Sequence, residues 1–185
     1  RRMGQLLIQA LEAMGVVVHV PSDFRAYDGQ GDPAHQATLR DLGLSLADDL
    51  ITQYQAMPRG AQPTAWFTYH LYHKAPDWLG PRVAAALGIP YLVAEASFAP
   101  KQAGGPWDLG HKAAGRAIAA ADLVFCMTRL DMACVQPLIR AEHELVFLPP
   151  FLDAVPFLGV EQNRRRVAQI YGLDPSKYWL LAVGM

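Results

Sequence analysis

TAWFTY, residues 64–69, is the first of three short apolar runs near the middle of this chain. The other two lie at 90–94 and 122–127, and Ala-rich segments of helical composition separate the three runs. Continuous apolar runs of this length, bounded by Pro, Gly and Asp, are typical of strands that are buried on both faces. Strands that alternate with helices indicate right-handed crossovers and a parallel sheet. We therefore predict an α/β fold with an open parallel sheet flanked by helices.

Further elements are predicted on either side of this centre. Helical patterns cover residues 2–14, 35–57, 82–87, 106–121, 130–141 and 163–171. Strand patterns cover residues 16–20, the ELVFLPPF segment that starts at 144, and residues 179–183. Gly15, Gly88 and Gly172 each follow a helical pattern and favour its termination there.

The two ends of the sequence predict a domain boundary. The chain opens with Arg-Arg inside a helical pattern and closes on YWLLAVGM, an apolar strand pattern with no turn after it. We expect a piece of a longer protein. Residues 1–155 would form an N-terminal domain that lacks its first strand, and residues 156–185 would supply a linker, a helix and the first strand of a truncated C-terminal domain.

Composition excludes several classes of function. The 185 residues are 52% hydrophobic and 18% charged with a formal net charge of −1, which gives no electrostatic argument for nucleic acid as a partner. Cys126 and Cys134 have neither metal-ligand nor redox spacing, which favours a reducing, cytoplasmic location. No apolar run approaches the ~20 residues that span a bilayer, and no signal peptide is recognisable. The sequence also lacks GxSxG, HExxH and DxD motifs.

Polar side chains follow each of the three central runs, at the point where the predicted strand ends. They are His70, His73 and Lys74 after the first run, Glu95, Ser97 and Lys101 after the second, and Thr128 with Arg129 after the third. In an open parallel sheet, ligands bind in the crevice outside the carboxyl ends of the strands. We therefore expect the functional residues at that edge.

His70 and His73 lie three residues apart, with Tyr69 beside them. No third metal ligand occurs at a suitable spacing, so we expect no zinc site and no other metal. A histidine at the carboxyl end of a strand could accept a proton or hydrogen-bond a substrate hydroxyl. The alternative is a surface or helix-capping histidine, which is favoured more for His73 than for His70.

Glu95 directly follows the YLVA of the second run. Its carboxylate could contact a sugar hydroxyl, or it could pair with Lys101 or Arg116 at the mouth of the sheet. Aromatic side chains able to stack on a sugar ring, although more often found in a core, are Tyr27, Trp66, Trp78 and Trp107.

The loop PKQAGGPWDLGHK, residues 100–112, is a candidate for anion binding. Lys101 supplies a positive charge, while Gly104 and Gly105 allow a ligand to approach the backbone closely. The helix predicted after Pro106 offers free N–H groups to a phosphate or carboxylate. The motif is neither a Walker loop nor GxGxxG, and two glycines are equally typical of a flexible turn.

Five motifs occur in the order of a known family. They are TAWFTYH (64–70), a strand that ends in His; LGIPYLVAEAS (87–97), similar to LGIP-x-V-x-x-E-H-G; AADLVFCMTRLDMACV (120–135), similar to A-D-x-V-x-x-x-S; ELVFLPPFLDAVPF (144–157), similar to V-x-x-I-P-N-G-V-D-x-x-x-F; and YWLLAVGM (178–185), similar to L-L-x-V-G-R. Together they resemble the N-terminal domain of a family-four retaining glycosyltransferase, one half of the two-domain GT-B architecture. The chain departs from the family pattern at Ala96, Thr128 and Pro150-Phe151.

The resemblance implies a Rossmann-like, acceptor-side domain followed by the start of a nucleotide-sugar-binding domain. The intact enzyme would move a sugar from a nucleotide-sugar donor to an acceptor hydroxyl with retention of configuration, without a metal or other cofactor, and this chain alone would be inactive. His70 is the expected catalytic contact with the transferred sugar or acceptor. The expected substrate-binding residues are Tyr69, His73, Lys74, Glu95, Ser97, Lys101, Gly104, Gly105 and Thr128.

The implied partners are the nucleotide sugar and a glycan, lipid or small-molecule acceptor, in bacterial polysaccharide or glycolipid biosynthesis. The run RRR at 164–166 is most simply a solvated helix face, and peripheral contact with the inner face of the membrane is a weaker interpretation. Two other functions stay open. One is a nucleotide-sugar epimerase of the same fold, which needs no acceptor. The other is a non-catalytic binding or assembly protein that keeps the fold.

Overall fold

A computed structural model describes residues 2–155 and 158–180 of the chain. The chain divides into two compact units, residues 8–150 in the larger one and residues 2–7 with those from 151 onward in the smaller one. The first helix, α1 (Arg2–Ala13), contributes residues to both units. The predicted second domain beyond residue 155 stays a prediction.

The larger unit is built on a parallel sheet of four strands in the order β1-β2-β3-β4. The strands are β1 (Trp66–Leu71), β2 (Tyr91–Ala96), β3 (Leu123–Cys126) and β4 (Glu144–Phe147). Each neighbouring pair is parallel, and helices lie in the connections. The prediction of an α/β fold with an open, Rossmann-like parallel sheet is therefore confirmed.

The helices begin and end where local sequence signals place them. They are α2 (Pro33–Gln55), α3 (Gly80–Leu87), α4 (Asp108–Ala120) and α5 (Arg129–Val135) in the larger unit, and α6 (Val160–Tyr171) in the smaller one. The Asp32 carboxylate caps α2 by accepting the N–H of Ala34 at 2.9 Å, and Pro33 occupies the first turn. Gly88 ends α3 with φ of 65°, a left-handed conformation that suits glycine.

Two hydrophobic clusters hold the larger unit together. One lies against the sheet, where Val93 and Val124 meet the alanines and Ile118 of α4. The other joins α2 to Trp78 and α3 through Leu50, Tyr54 and Val83. Small residues on α4 allow it to lie close to the strands, and removal of this apolar surface from water is the main stabilising term.

Asp77 connects β1, β2 and the start of α3. Its Oδ1 accepts the backbone N–H groups of Leu79 at 2.9 Å and Gly80 at 2.8 Å. Its Oδ2 accepts the hydroxyl groups of Thr68 at 2.5 Å and Tyr91 at 2.8 Å. Burial, followed by the negative charge of Asp77, raises the pKa of Tyr91 well above its usual value, so the phenol remains a hydrogen-bond donor.

The predicted strand at 16–20 is not formed. These residues have no regular secondary structure, and β1 is an edge of the described sheet. Val17 is 95% exposed and Val20 65% exposed. Because a strand needs a neighbour to satisfy its backbone N–H and C=O groups, an apolar run without a ladder partner does not become one.

Two smaller differences concern the second half of the chain. The helix predicted at 130–141 stops at Val135 and continues only as a 3₁₀ turn, Gln136–Leu138, because Pro137 has no N–H to donate. The strand predicted at 179–183 falls largely on residues 181–183, which lie outside the described residues, and residues 179–180 are not in a strand.

In the smaller unit, α6 packs against the segment that follows it. The Arg164 guanidinium lies over the Trp179 ring at 4.1 Å and donates to the carbonyls of Pro175 at 2.8 Å and of Lys177. Arg165 and Arg166 are exposed. The interpretation of the RRR run as a solvated face therefore holds for two of its arginines and is wrong for Arg164, which an aromatic ring covers.

Candidate functional site

His70 and Glu95 lie side by side where β1 and β2 end. The register aligns them at the same step of the ladder, between two paired positions, Tyr69–Ala94 and Leu71–Ala96. Both have left-handed backbone angles, with φ of 68° at His70 and 58° at Glu95. This conformation costs a residue with a Cβ about 1–3 kcal/mol, and it clusters at functional sites. The carboxyl edge of the sheet thus carries two adjacent strained residues.

The two side chains approach each other as well. Nδ1 of His70 lies 3.2 Å from Oε1 of Glu95, but it has no hydrogen-bond partner in this arrangement of the described chain. The side chains are 26% and 34% exposed, although Nδ1 itself is buried. Among the described residues, the charged-group neighbour of Glu95 is therefore His70, and the alternative pairing with Lys101 or Arg116 is wrong.

A row of rings continues from His70. Its ring centroid lies 5.8 Å from that of Tyr69 and 4.9 Å from that of Tyr72. The His73 ring lies 5.4 Å from Tyr72 and 5.8 Å from Trp107. The structure therefore brings the predicted contacts Tyr69, His70 and His73 into one row and adds Trp107 from the beginning of α4.

Lys74 gives this row a positive end. Its Nζ lies 4.3 Å from the centroid of the Trp107 ring, a cation–π contact. Burial, together with the electrostatic effect of the nearby Lys74 and His111, lowers the pKa of His73 below its ordinary value. His73 is therefore neutral at pH 7, with one ring nitrogen available as a donor and the other as an acceptor.

The predicted anion loop uses its N–H groups internally. The N–H of Gly104 donates to Oδ1 of Asp108 at 2.8 Å, and that of Gly105 donates to the Gln102 carbonyl at 3.2 Å. The Asp108 carboxylate also pairs with Lys112 at 2.6 Å, and this lysine is the main reason that the pKa of Asp108 is lowered. The anion at the start of α4 is thus the chain's own side chain, and a ligand would have to displace it.

Other predicted contacts are distributed around this edge. Ser97 is half-buried, and its N–H donates to the Leu71 carbonyl at 2.9 Å, which extends the strand pairing past His70 and Glu95. Lys101 is exposed on a 3₁₀ turn, Pro100–Gln102. The Thr128 hydroxyl accepts the N–H of Asp131 at 3.0 Å and donates to its carboxylate at 2.6 Å, so this side chain caps α5.

Asp28 was not predicted from the sequence. It is 1% exposed; its N–H donates to the Lys74 carbonyl at 2.8 Å, and its own carbonyl accepts Nε1–H of Trp107 at 3.0 Å. Its carboxylate accepts the N–H of Gln30 at 3.0 Å and lies 3.5 Å from Nδ1 of His35. Burial raises the pKa of Asp28, but these hydrogen bonds outweigh burial and the net pKa is lowered. Asp28 thus holds Lys74 and Trp107 in place.

Gln36 and Gly110 complete the support of this edge. Gln36 is 5% exposed; its Nε2 donates to the Pro106 carbonyl at 2.8 Å, and its Oε1 accepts the N–H of Gly110 at 3.4 Å. A Cβ on Gly110 would lie 2.1 Å from the His73 carbonyl oxygen, so only glycine lets α4 approach the turn after β1 this closely. The partners of Gln36 lie 70 and 74 residues away in the sequence, so no local pattern predicts these contacts. The one local signal was a polar residue on the buried face of α2.

An open groove of about 400 Å³ lies beside the same loop. Phe98 and α4 line it, and the Phe98 ring stacks on His111 at 4.4 Å with an interplanar angle of 21°. Lys112 and Arg116 supply positive charge on the helix side. The groove is therefore mixed, with apolar surface on one wall and cations on the other.

Comparison with known proteins gave no assignment: no protein-family model matches the chain, and no curated protein matches it either. Within residues 2–155 and 158–180, no three His, Cys, Asp or Glu side chains are close enough together to hold a metal ion. Across the same residues, no helix combines the length and the apolar character needed to cross a membrane.

Proposed function

We propose that the protein is a glycosyltransferase that moves a sugar from a nucleotide-sugar donor to an acceptor hydroxyl with retention of configuration. Residues 1–155 supply mainly the acceptor side in this proposal. The observation that carries it is the His70–Glu95 pair, a partly exposed imidazole and carboxylate on strained backbone at the carboxyl edge of the sheet. Ligands of open parallel sheets bind at this edge, and backbone strain clusters at ligand sites. The order of the five family-like motifs supports a transferase in particular.

The side chains at this edge suit a sugar hydroxyl. A carboxylate accepts hydrogen bonds only, and a neutral imidazole accepts one and donates one, so His70 and Glu95 offer acceptors to the hydroxyl groups of a sugar or an acceptor. The rings of Tyr69, Tyr72 and Trp107 provide apolar faces nearby. In the proposed enzyme, basic groups and helix N-termini of a second domain stabilise the leaving phosphate without a metal.

We also propose that the enzyme is cytoplasmic and acts in bacterial polysaccharide or glycolipid biosynthesis. A lipid acceptor would bring it to the inner face of the membrane, where the exposed Arg165 and Arg166 could meet anionic headgroups. Cosedimentation with anionic and neutral vesicles tests this contact. Equal binding to both, or binding to neither, would contradict it.

Calorimetry and turnover with a panel of UDP-, GDP- and ADP-sugars test the main proposal. We expect the full-length protein to bind one nucleotide sugar and to transfer its sugar to a hydroxyl acceptor. His70→Ala should lower turnover by roughly 100-fold, in the range for loss of a group that handles a proton. The matched control is His19→Ala, because His19 is exposed and distant in sequence from the sheet edge.

Three results would overturn the proposal or its site. Binding of no nucleotide sugar would favour the non-catalytic alternative. Conversion of a nucleotide sugar without any acceptor would favour an epimerase. Unchanged turnover in a folded His70→Ala protein would remove His70 from the chemistry.

A further inference from the structure

Glu95 occupies a position from which it can control the proton on His70. The two residues share one step of the β1–β2 ladder, and the paired residues on either side keep that step in register. Each is held in a left-handed conformation, which directs its side chain away from the alternation of the strand. The result is a 3.2 Å separation between Oε1 of Glu95 and Nδ1 of His70.

We propose that Glu95 is the positioning residue of His70: its carboxylate keeps the imidazole proton on Nδ1 and leaves the Nε2 lone pair to accept a hydrogen bond from a ligand hydroxyl. This assignment differs from direct substrate binding by Glu95, and its functional part depends on the proposed function. The tautomer itself does not depend on which reaction the protein catalyses.

Chemistry supports the assignment of the proton. An ionised carboxylate can only accept hydrogen bonds, so the nitrogen that faces it is the favoured site of the N–H in a neutral imidazole. The separation of 3.2 Å is within hydrogen-bond range. The partner of one ring nitrogen fixes the role of the other nitrogen, as carboxylate–histidine pairs do elsewhere in proteins.

The burial of Nδ1 indicates which ring nitrogen of His70 is left for a ligand. Nδ1 is buried, so the 26% of the side chain that is exposed belongs to other atoms of His70. The Tyr72 ring meets the His70 ring edge-on at 4.9 Å and the Tyr69 ring is tilted against it at 5.8 Å, which restricts rotation of the imidazole. A ring flip would exchange Nδ1 with Cδ2 and take the nitrogen away from Glu95, and these contacts oppose it. Nε2 is therefore the ring nitrogen that this proposal assigns to a ligand hydroxyl.

Long-range ¹H–¹⁵N NMR of the imidazole rings tests the tautomer directly in the full-length protein. Spectra are recorded at about pH 8.5, roughly two units above the ordinary histidine pKa, so that neutral rings are observed. We expect the Nδ1–H form at His70. The five other histidines among the six in the chain serve as internal references.

Two substitutions at Glu95 separate position from charge. Glu95→Gln retains an acceptor oxygen and should keep the Nδ1–H form. Glu95→Gly removes the acceptor, and glycine accommodates the φ of 58°, so the fold should persist while His70 loses its preference for Nδ1–H. An Nε2–H form in the wild-type protein, or an Nδ1–H form that survives in folded Glu95→Gly, would overturn the inference.

Turnover distinguishes the inference from the proposed function. With a nucleotide-sugar substrate, Glu95→Gly should lower kcat by roughly tenfold or more with little change in KM, and Glu95→Gln should restore most of it, because loss of a group that orients a histidine typically costs 10–100-fold. The expected tautomer without any sugar transfer would retain the positioning role and reject the transferase. Normal transfer by Glu95→Gly would retain the transferase and reject the positioning role.

Discussion

The phenol of Tyr91 donates a hydrogen bond to Oδ2 of Asp77 at 2.8 Å, so a buried ring at the start of β2 shares the carboxylate that begins α3. Tyr91 is 2% exposed, and a Cβ on Gly80 would lie 2.3 Å from the same oxygen. Several donors thus share this one carboxylate. Removing one donor leaves a half-buried carboxylate short of a partner.

Tyr91→Phe should therefore lower the free energy of unfolding by about 1–3 kcal/mol, the usual cost of an unmet hydrogen bond at a buried group. Urea unfolding measures this change. The control is Tyr27→Phe, since Tyr27 is 53% exposed, and surface substitutions usually stay within about 0.5 kcal/mol. A loss at Tyr91 no larger than the loss at Tyr27 would show that the Asp77 network contributes little.

Gly110→Ala should destabilise the larger unit because the new methyl group would meet the His73 carbonyl oxygen at 2.1 Å. Backbone on both sides of this contact has to move, and we expect a loss of about 1–3 kcal/mol, as for overpacking in a core. Gly60→Ala is the matched control, since nothing lies within 4 Å of the added carbon there. Thermal unfolding of the two variants compares them, and equal midpoints would contradict the close approach of α4 to the turn after β1.

Glycine should be better tolerated than alanine at position 70. With φ of 68°, alanine pays for a Cβ in the left-handed region and glycine does not, so His70→Gly should be more stable than His70→Ala by about 0.5–1 kcal/mol. The opposite order is expected at Leu130, which is 76% exposed on α5, because glycine is the poorer helix former. If alanine is the more stable residue at both positions, the backbone at His70 is not strained in solution.

The Asp28 carboxylate should make the free energy of unfolding depend on pH in the acid range. Its folded-state pKa is lowered from 3.8, so its contribution is present above about pH 4 and is lost as pH falls below that value. Asp28→Asn should cost about 1–3 kcal/mol at neutral pH, since it removes the negative charge that the surrounding hydrogen bonds stabilise, and the difference from wild type should shrink in acid. Urea unfolding at neutral pH and at about pH 3 tests this, and a difference independent of pH would contradict it.

The sheet was predictable because its information is local. The runs that became β1, β2 and β3 are continuous and apolar, and each is bounded by a residue that ends a strand. The run at 16–20 looks the same in the sequence, yet it forms no strand, because strand formation also requires a neighbour that no local pattern reveals. Local composition therefore predicts which segments can be strands, and pairing decides which of them are.

The candidate site was predictable only in its outline. The rule that polar residues collect at the carboxyl edge identified His70 and Glu95. Their shared step of the ladder depends on the strand register, and their left-handed angles are a further property of the folded backbone. Asp77 and Asp28 escaped notice because each meets partners from distant segments, such as Tyr91 and Trp107. The anion loop stays a prediction, and the sequence pattern did not reveal that Asp108 accepts the N–H of Gly104.

The amide of Gln36 has a consequence for how freely this chain can vary. Its Nε2 donates a hydrogen bond to the Pro106 carbonyl and its Oε1 accepts one from the N–H of Gly110. The position therefore requires a donor and an acceptor on the same side chain. Glutamate would place a negative charge next to the Pro106 carbonyl, and lysine would provide no acceptor for the N–H of Gly110. Leucine would leave both backbone groups buried without a hydrogen-bond partner. Gln36 is 5% exposed and has no part in the proposed chemistry. In a deep mutational scan, position 36 should nevertheless be as intolerant of substitution as a residue of the reactive centre.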